Sequence, residues 1–344
     1  MANTSGPTGV VLIQTGTPDS PSVRDVRRYL REFLSDPRVL DVPAPVRCLL
    51  LNAVILPLRP RRSAEAYGKI WTEEGSPLLV HSAALRDEVQ RLLGDDYHVT
   101  IGMRYRRPSL RSAIDELADA GCRRVVLFPL FPQYAPASTG SALEAAFDVV
   151  GHRPNVPDVT TVNSFYDEPG FVAAMAATAR PLMDEFAPDH VLFSYHGLPE
   201  RQVRGADPSG ARCLSSPRCC NRLIDENRFC YRAQCFATTR SLAAALELGA
   251  GSFTTAFQSR LAGQKWIGPH TDDALTRLAS EGIRRLAVLT PSFTTDCLET
   301  LEEIGIRGRR QWESLGGAAM LVVPCLNADR VWAAAVAEMV RAVS

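Results

Sequence analysis

Lysine is almost absent from this sequence. Of its 38 basic residues only Lys69 and Lys265 are lysines, and 38 acidic residues cancel the positive charge. Proteins that bind nucleic acid usually carry a strongly basic domain, so we expect no nucleic-acid partner. The arginine bias is spread over the whole chain, and it reflects either composition alone or the recognition of anions.

Long apolar runs are also missing. The longest, CLLLNAVILPL (48–58), falls short of the ~18 residues that a membrane-spanning helix requires. The N-terminus lacks the basic and apolar regions of a secretion signal, so we expect a cytoplasmic protein. Because Arg59, Arg61 and Arg62 follow the apolar run, segment 48–62 is either a core helix or a pocket lip that makes a peripheral membrane contact.

Two nucleotide-binding motifs are missing as well. GTPDSP (16–21) follows the first apolar segment, where a dinucleotide-binding G-x-G-x-x-G would stand, and no P-loop motif occurs. This weighs against a nucleotide-dependent enzyme. An oxidoreductase that uses a metal cluster for electron transfer is nevertheless one alternative, and a hydride-transfer assay would test it.

Short apolar segments alternate with helical patterns along the chain. Such segments are typical of parallel strands buried on both faces, and the alternation predicts βαβ units. The order repeats, since 110–130 and 273–291 each contain a helix, a glycine, two arginines and a strand. We predict an α/β fold of two Rossmann-like, doubly wound parallel-sheet domains with an interdomain cleft. The predicted strands are VVLIQT (10–15), HVTIGM (98–103), RVVLFPL (124–130), HVLFSY (190–195), GSFTTAF (251–257) and RLAVLTP (285–291).

The length of 344 residues favours two domains. We expect an N-terminal Rossmann-like domain over 1–165. A C-terminal Rossmann-like domain over 166–322 would carry a cysteine-rich insertion at 207–235. Residues 323–344 are predicted to form a helix that packs back on the N-terminal domain.

One histidine lies beyond a predicted strand, where ligands bind in open parallel sheets. FSYHGLP (193–199) places His196 there. A neutral imidazole can accept a proton near pH 7 or bind a metal, although a histidine at such a place can also be purely structural.

Two further loops carry candidate chemistry. FPQYAPASTGSALEAA (131–146) crowds hydroxyls around a helix start, which favours anionic groups or simply caps the helix. SFTTDCLETLEEI (292–304) would place Glu299 and Glu303 on one helix face. Those carboxylates form either a path for a hard cation or for protons, or a solvated acidic surface.

Six blocks of the sequence resemble the ferrochelatases, the chelatases that insert ferrous iron into a porphyrin late in haem synthesis. The similarity runs from about residue 9 to about residue 325, and SYHGLP combined with a downstream D-x-x-E-T-L is specific to that family. The blocks are VVLIQTGTPDS, GMRYRRP, FPLFPQYAPASTGS, FSYHGLPER, QSRLAGQKWIGP and SFTTDCLETLEEI.

The resemblance implies the two-domain fold described above, with the porphyrin in the interdomain cleft. It assigns His196 and Glu299 as the catalytic pair that handles protons and the substrate Fe²⁺. One departure is that the family's usual D-H-x-E is Asp296-Cys297-Leu298-Glu299 here, so a thiol replaces an imidazole. The substrate-binding positions that the resemblance implies are Arg104, Tyr105, Tyr134, Ser138 and Glu303.

The activity implied by the resemblance is the insertion of Fe²⁺ into protoporphyrin IX with release of two protons. Coproporphyrin III is the alternative substrate, because the two porphyrins differ only in their carboxylates. A non-catalytic tetrapyrrole- or metal-binding protein of the same fold is the alternative class. The sequence is compatible with a monomer and with a homodimer.

Five of the nine cysteines fall within a stretch of 23 residues. Without disulfides such density argues for a metal site, and four thiolates suit Zn²⁺ or an iron–sulfur cluster. The spacing lacks the paired C-x2-C knuckles of zinc ribbons. Resemblance to the bacterial ferrochelatases that hold a [2Fe–2S] cluster in this region favours that cofactor over zinc or free thiols. Four of five candidates would bind it: Cys213, Cys219, Cys220, Cys230 and Cys235.

Overall fold

The computed structural model of the protein describes residues 6–216, 218–260 and 264–344. Each of its two compact units is built on one four-stranded parallel sheet with helices around it. The predicted α/β class with parallel sheets is therefore confirmed. The first unit consists of Met1–Phe131, Pro136–Ser164 and Asn327–Ser344, and the second of Pro132–Ala135 and Phe165–Leu326.

The sheet of the first unit has the strand order β2-β1-β3-β4, and every neighbouring pair is parallel. Its strands are β1 (Thr8–Gly16), β2 (Tyr97–Tyr105), β3 (Arg124–Pro129) and β4 (Asp158–Thr161). Its helices are α1 (Val23–Ser35), α2 (Ala44–Leu49), α3 (Leu56–Gly68), α4 (Pro77–Leu93), α5 (Leu110–Asp119), α6 (Ser141–Gly151) and α12 (Arg330–Val343), with π-helices at Leu50–Ile55 and Pro136–Gly140.

The core of this unit follows from the apolar strands. Val11 and Ile13 of β1 are fully buried and pack with Ile114 and Leu117, which face inward from α5. The Ser109 hydroxyl accepts a hydrogen bond from the backbone N–H of Ser112 and so caps α5 at its first turn. The strand and helix patterns of the sequence thus meet in one hydrophobic layer.

The sheet of the second unit repeats this topology with the order β6-β5-β7-β8, again all parallel. The repeat seen in the sequence is therefore a repeat of fold. Its strands are β5 (His190–His196), β6 (Phe253–Gln258), β7 (Arg285–Leu289) and β8 (Ala319–Val322). Its helices are α7 (Pro169–Phe186), α8 (Glu200–Gly205), α9 (Tyr231–Ala245), α10 (Thr271–Ser280) and α11 (Arg309–Ser314), with a 3₁₀ turn at Asp225–Asn227 and a π-helix at Glu299–Gly308.

The core of the second unit is built in the same way. Leu192 of β5 and Val288 of β7 are buried against Leu278 of α10 and against Trp312, which lies on α11. The indole N–H of Trp312 donates to the carbonyl of Ala319 at 3.0 Å. Helix α11 is thereby held against the edge of the sheet at β8.

Segment 48–62 forms helical turns that are only half buried. Leu51 and Leu56 face the core, whereas Leu49 is 67% exposed and Leu58 is 74% exposed. The segment is therefore not a simple core helix. Among the helices of the described residues, none combines the length and the apolar character needed to cross a bilayer.

Candidate active site

His196 is the last residue of β5, at the carboxyl edge of the second sheet. Its backbone N–H donates to the hydroxyl of Ser292 at 2.9 Å, and its carbonyl accepts from the hydroxyl of Tyr231 at 2.8 Å. The imidazole packs edge-on against the ring of Phe293, with 6.1 Å between the centroids. Both backbone groups of His196 are therefore fixed from outside its own strand.

The tautomer of the imidazole follows from its own hydrogen bond. Nδ1 of His196 lies 2.6 Å from the carbonyl oxygen of Gly197. Because a carbonyl can only accept, Nδ1 carries the hydrogen, and the neutral ring has its lone pair on Nε2. The half-buried side chain therefore presents Nε2 as its proton acceptor.

Gly197 is placed against the neighbouring strand. Its N–H donates to the carbonyl of Gln258 at 2.8 Å, and His196 and Gln258 are register partners in the parallel pair of β5 and β6. A Cβ at position 197 would lie 2.6 Å from that carbonyl oxygen and 3.3 Å from the Trp266 ring. The glycine in H-G-L-P is thus required by a close approach between two strand ends.

The carboxylates predicted to share a face lie on the π-helix Glu299–Gly308. Widened turns of this kind are rare and are frequent at functional sites. The carboxylate of Glu303 accepts from both the N–H and the hydroxyl of Ser259, at 2.8 and 2.6 Å. Ser259 adopts a left-handed backbone with φ of 67°, which non-glycine residues seldom do, and this presents both donors to one carboxylate.

Glu299 is half buried at the start of the π-helix. Its backbone carbonyl accepts from the side-chain amide of Gln258 at 2.9 Å. The thiol of Cys297 hydrogen-bonds with the Glu299 side chain, and burial, followed by the nearby Glu299 charge, raises the pKa of Cys297 well above its ordinary value. The thiol of Cys297 is therefore an uncharged donor beside the carboxylate.

Two neighbouring carboxylates are engaged in structural contacts. Glu302 is buried and accepts from the guanidinium of Arg307 at 2.8 Å. Asp296 is also buried and accepts from the hydroxyl of Thr300 at 3.0 Å. Glu299 and Glu303, by contrast, contact Gln258 and Ser259 at the carboxyl end of β6, the strand beside β5.

Arg104 and Tyr105 belong to a polar cluster in the first unit. The guanidinium of Arg104 and the hydroxyl of Tyr105 both donate to Asp36, at 2.7 and 2.8 Å. Ser141 donates to the same carboxylate at 2.5 Å. Burial acts to raise the pKa of Asp36, but the hydrogen bonds, led by that from Ser141, outweigh it and hold the pKa below the ordinary value.

The two loop residues predicted near a substrate lie in different units. Tyr134 belongs to the second unit. Its backbone N–H donates to the side-chain carbonyl of Gln234 at 2.7 Å, and its ring centroid lies 5.6 Å from that of Phe229. Ser138, in the first unit, is half buried in the π-helix Pro136–Gly140. The structure places both in the loop before α6.

Four cysteine thiols gather in the segment before α9. The Sγ atoms of Cys219 and Cys220 are 3.5 Å apart, and Cys230 hydrogen-bonds with Cys220 and with Cys213. All four are buried. The hydrogen bond with Cys230, followed by burial, raises the pKa of Cys220, and burial raises that of Cys213.

Cys235 differs from this group. It lies on α9, fully buried, and its side chain hydrogen-bonds with Tyr231. Among the residues that the structure describes, no group of three or more His, Cys, Asp or Glu side chains is arranged so that it could hold a metal ion. The four gathered thiols have the chemistry of iron–sulfur ligands but not the arrangement of a metal site.

Three residues that support the site were not singled out from the sequence. Gln258, Ser259 and Ser292 all lie just at or beyond the ends of strands adjacent to β5. The rule that ligands bind at the carboxyl ends of parallel strands is the signal that points to their positions, but glutamine and serine side chains do not by themselves indicate a role there.

The repeated parallel sheets are similar to a solved structure. The chain aligns with SirB from Bacillus subtilis with Fe³⁺ at a TM-score of 0.52 and 12% identity, covering 97% of this chain and 94% of that one. The two sheets, with a histidine and carboxylates at one sheet edge, define an α/β protein of the chelatase fold.

Comparison with known proteins shows to which family this α/β protein belongs. The family profile named Ferrochelatase matches residues 7–343. Over 333 residues the chain is 48% identical to the ferrochelatase of Coxiella burnetii (strain CbuG_Q212), covering 97% of this chain and 93% of the relative. It is 46% identical to the ferrochelatase of Legionella pneumophila (strain Lens), covering 96% and 98%. The chain belongs to the ferrochelatase family.

Proposed function

We propose that this protein inserts Fe²⁺ into protoporphyrin IX, with release of two protons, and so acts as a lyase of haem synthesis. The observation that carries this function is that Gln258 joins the loop of His196, whose lone pair lies on Nε2, to the π-helix of Glu299 and Glu303. Membership of the ferrochelatase family supports the substrates, porphyrin and ferrous iron.

The chemistry of metallation matches these side chains. Two pyrrole protons must leave the macrocycle, and a neutral imidazole is suited to accept them. Carboxylate oxygens can replace water on the substrate Fe²⁺ or carry protons away. In this proposal His196 is the base, and Glu299 is the substrate-metal ligand and proton acceptor.

The porphyrin carboxylates need cationic or hydroxyl partners. Arg104 retains 25% side-chain exposure although it is paired with Asp36, and Tyr134 and Ser138 are half buried. We assign these three residues, with Tyr105 and Glu303, to porphyrin binding. Tyr105 is buried, with its hydroxyl on Asp36, so its part is to hold Arg104 in place.

The same proposal includes a [2Fe–2S] cluster. The thiols that would hold it are Cys213, Cys219, Cys220 and Cys230, because they are buried and in mutual contact, whereas Cys235 hydrogen-bonds with Tyr231. When bound, such a cluster supplies a one-electron redox centre.

We further propose that this protein is cytoplasmic and contacts a membrane through 48–62. Leu49 and Leu58 expose apolar side chains beside exposed Arg59, Arg61 and Arg62. Apolar side chains next to cationic ones are the combination that binds the surface of an anionic bilayer.

The catalytic assignment is tested by iron insertion in two variants. His196→Ala and Glu299→Gln should each lower turnover by roughly 100-fold or more, the scale of a lost proton-transfer group. His152→Ala and Glu247→Gln change exposed residues of the same types and serve as matched controls. Turnover like that of the unmodified protein in both site variants would contradict the roles, and porphyrin binding without any turnover would favour a non-catalytic binding protein.

A further inference from the structure

The buried side chain of Gln258 contacts both the strand of His196 and the π-helix that carries Glu299 and Glu303. It is the last residue of β6 and is 3% exposed. Its side-chain amide donates to the backbone carbonyl of Glu299 at 2.9 Å and approaches the carboxylate of Glu303 at 3.5 Å. Its side-chain carbonyl accepts from the hydroxyl of Ser194 at 2.9 Å.

The backbone of the same residue holds the histidine loop. The carbonyl of Gln258 accepts from the N–H of Gly197, directly after His196. Ser194, which holds the side-chain carbonyl, lies two residues before His196 on β5 and also contacts Thr271 at 2.7 Å. One residue of β6 therefore joins the strand of His196 to the helix of Glu299 and Glu303.

We propose that Gln258 is a positioning residue, which sets the distance and orientation of Glu299 and Glu303 relative to His196. The proposal rests on the proposed function of those three residues. It assigns Gln258 no contact with substrate. Its effect arises because its amide binds the Glu299 carbonyl and approaches the Glu303 carboxylate from the end of β6, and so ties the π-helix to that strand.

Glutamine is the side chain that fits this place. It offers an acceptor to Ser194 and a donor to the π-helix at the same time. Glutamate keeps the acceptor but has no donor, and it would place a second carboxylate beside Glu303. Methionine has a similar length and makes neither hydrogen bond. The two substitutions therefore separate loss of the donor from loss of the whole side-chain amide.

The test compares steady-state iron insertion by Gln258→Met, Gln258→Glu and Gln90→Met, with protoporphyrin IX and Fe²⁺ as substrates. Gln90 is a matched control, because its amide also makes several hydrogen bonds, to Gly94, Tyr97 and Val99, but in the first unit. Thermal unfolding of each variant is recorded alongside, so that rates are compared below every midpoint.

We expect both Gln258 variants to lose roughly 10- to 100-fold in kcat, the scale of an active-site group displaced by about 1 Å. The loss should be larger in kcat than in KM for the porphyrin, because the Gln258 amide donates to the Glu299 carbonyl and only approaches Glu303, the residue assigned to porphyrin binding. Gln90→Met should shift the unfolding midpoint and leave kcat unchanged.

Two results would overturn the proposal. One is a kcat in Gln258→Met that matches that of Gln90→Met. The other is a Gln258→Glu variant as active as the unmodified protein, because that variant lacks the donor. Glu299→Gln, measured in the same assay, distinguishes failure of the positioning role of Gln258 from failure of the proposed function. If Glu299→Gln is inactive while Gln258→Met turns over normally, only the positioning role is lost, whereas an active Glu299→Gln removes the catalytic assignment itself.

Discussion

Gly197 and Gln258 touch so closely that no side chain fits between them. The N–H of Gly197 donates to the Gln258 carbonyl at 2.8 Å, and a Cβ on Gly197 would lie 2.6 Å from that oxygen. Backbone oxygen cannot move aside as a flexible side chain can. The H-G-L-P turn therefore depends on glycine for closeness to the next strand, which keeps His196 at the sheet edge.

Gly197→Ala should separate β5 from β6 at their carboxyl ends. We expect iron insertion to fall at least about tenfold and the free energy of unfolding to fall by roughly 1–3 kcal/mol, the usual cost of an overpacked site. Activity and urea unfolding measure the two effects.

Gly151→Ala provides the control for this substitution. Gly151 is at the end of α6, and a Cβ there would meet nothing within 4 Å. Alanine forms helix better than glycine by up to ~1 kcal/mol, so this variant should be as stable as the unmodified protein or slightly more. Equal losses in the two variants would mean that the close approach at Gly197 has no special role.

The sequence was sufficient to predict the sheets because their central strands are buried on both faces. Runs such as VVLIQT and HVLFSY have no polar face, and each is a strand in the structure. The edge strands β4 and β8 were not predicted. Each has only four residues, and β4 is half exposed with the sequence DVTT, so neither gives an apolar run of useful length.

The sequence indicates site residues only where the side chain is of a type commonly used in catalysis or metal binding. His196 and Glu299 were found because imidazoles and carboxylates after strands are conspicuous. Gln258 was not, since its proposed role comes from partners on two segments, 194–197 and 299–303, that only folding brings to it. The engagement of Arg104 by Asp36 was missed for the same reason, because the two residues are 68 positions apart.

Asp36→Asn tests how the polar cluster of the first unit contributes to stability. The carboxylate, whose side chain is 3% exposed, is paired with Arg104 at 2.7 Å. We expect the variant to lose roughly 2–4 kcal/mol of unfolding free energy at pH 7, because removal of one partner leaves the other charge uncompensated. Urea unfolding at several pH values gives the measurement, and Asp41→Asn, on an exposed aspartate, is the control.

The pH dependence of that loss has a definite sign. The hydrogen bonds to Asp36 hold its pKa below the ordinary value in the folded protein. Its contribution is therefore complete above about pH 3.9, the ordinary aspartate pKa, and disappears as the pH falls through the lower folded pKa. The difference in stability between the unmodified protein and Asp36→Asn should shrink in acid, and a difference that stays constant down to the lowest pH would contradict this account.

Leu58→Ser tests the proposed membrane contact. Leu58 is 74% exposed, so the substitution costs little folding stability while it removes apolar surface from the proposed contact. Binding to phosphatidylglycerol vesicles, followed by sedimentation, should weaken roughly tenfold, the equivalent of ~1.4 kcal/mol of lost burial. Val156→Ser changes another exposed apolar residue, 62% exposed, and should bind as before. Equal vesicle binding by Leu58→Ser and the unmodified protein would contradict the proposed membrane contact.

Cys230→Ser and Cys235→Ala together test the cluster and its ligands. Cys230 hydrogen-bonds with two of the gathered thiols, whereas Cys235 hydrogen-bonds with Tyr231 on its own helix. Protein purified without oxygen should be brown and contain iron and acid-labile sulfide in equal amounts. Cys230→Ser should lose the visible absorption and the sulfide, and Cys235→Ala should keep both.

Each other result has a specific meaning for these thiols. A colourless unmodified protein that contains zinc would replace the cluster by a tetrahedral zinc site on the same four thiolates. A colourless protein that contains neither iron nor zinc would mean that the four cysteines hold no metal. If Cys235→Ala also lost its colour, the ligand set would have to include a residue of α9, and the segment before that helix would need to adopt a different arrangement when the cluster binds.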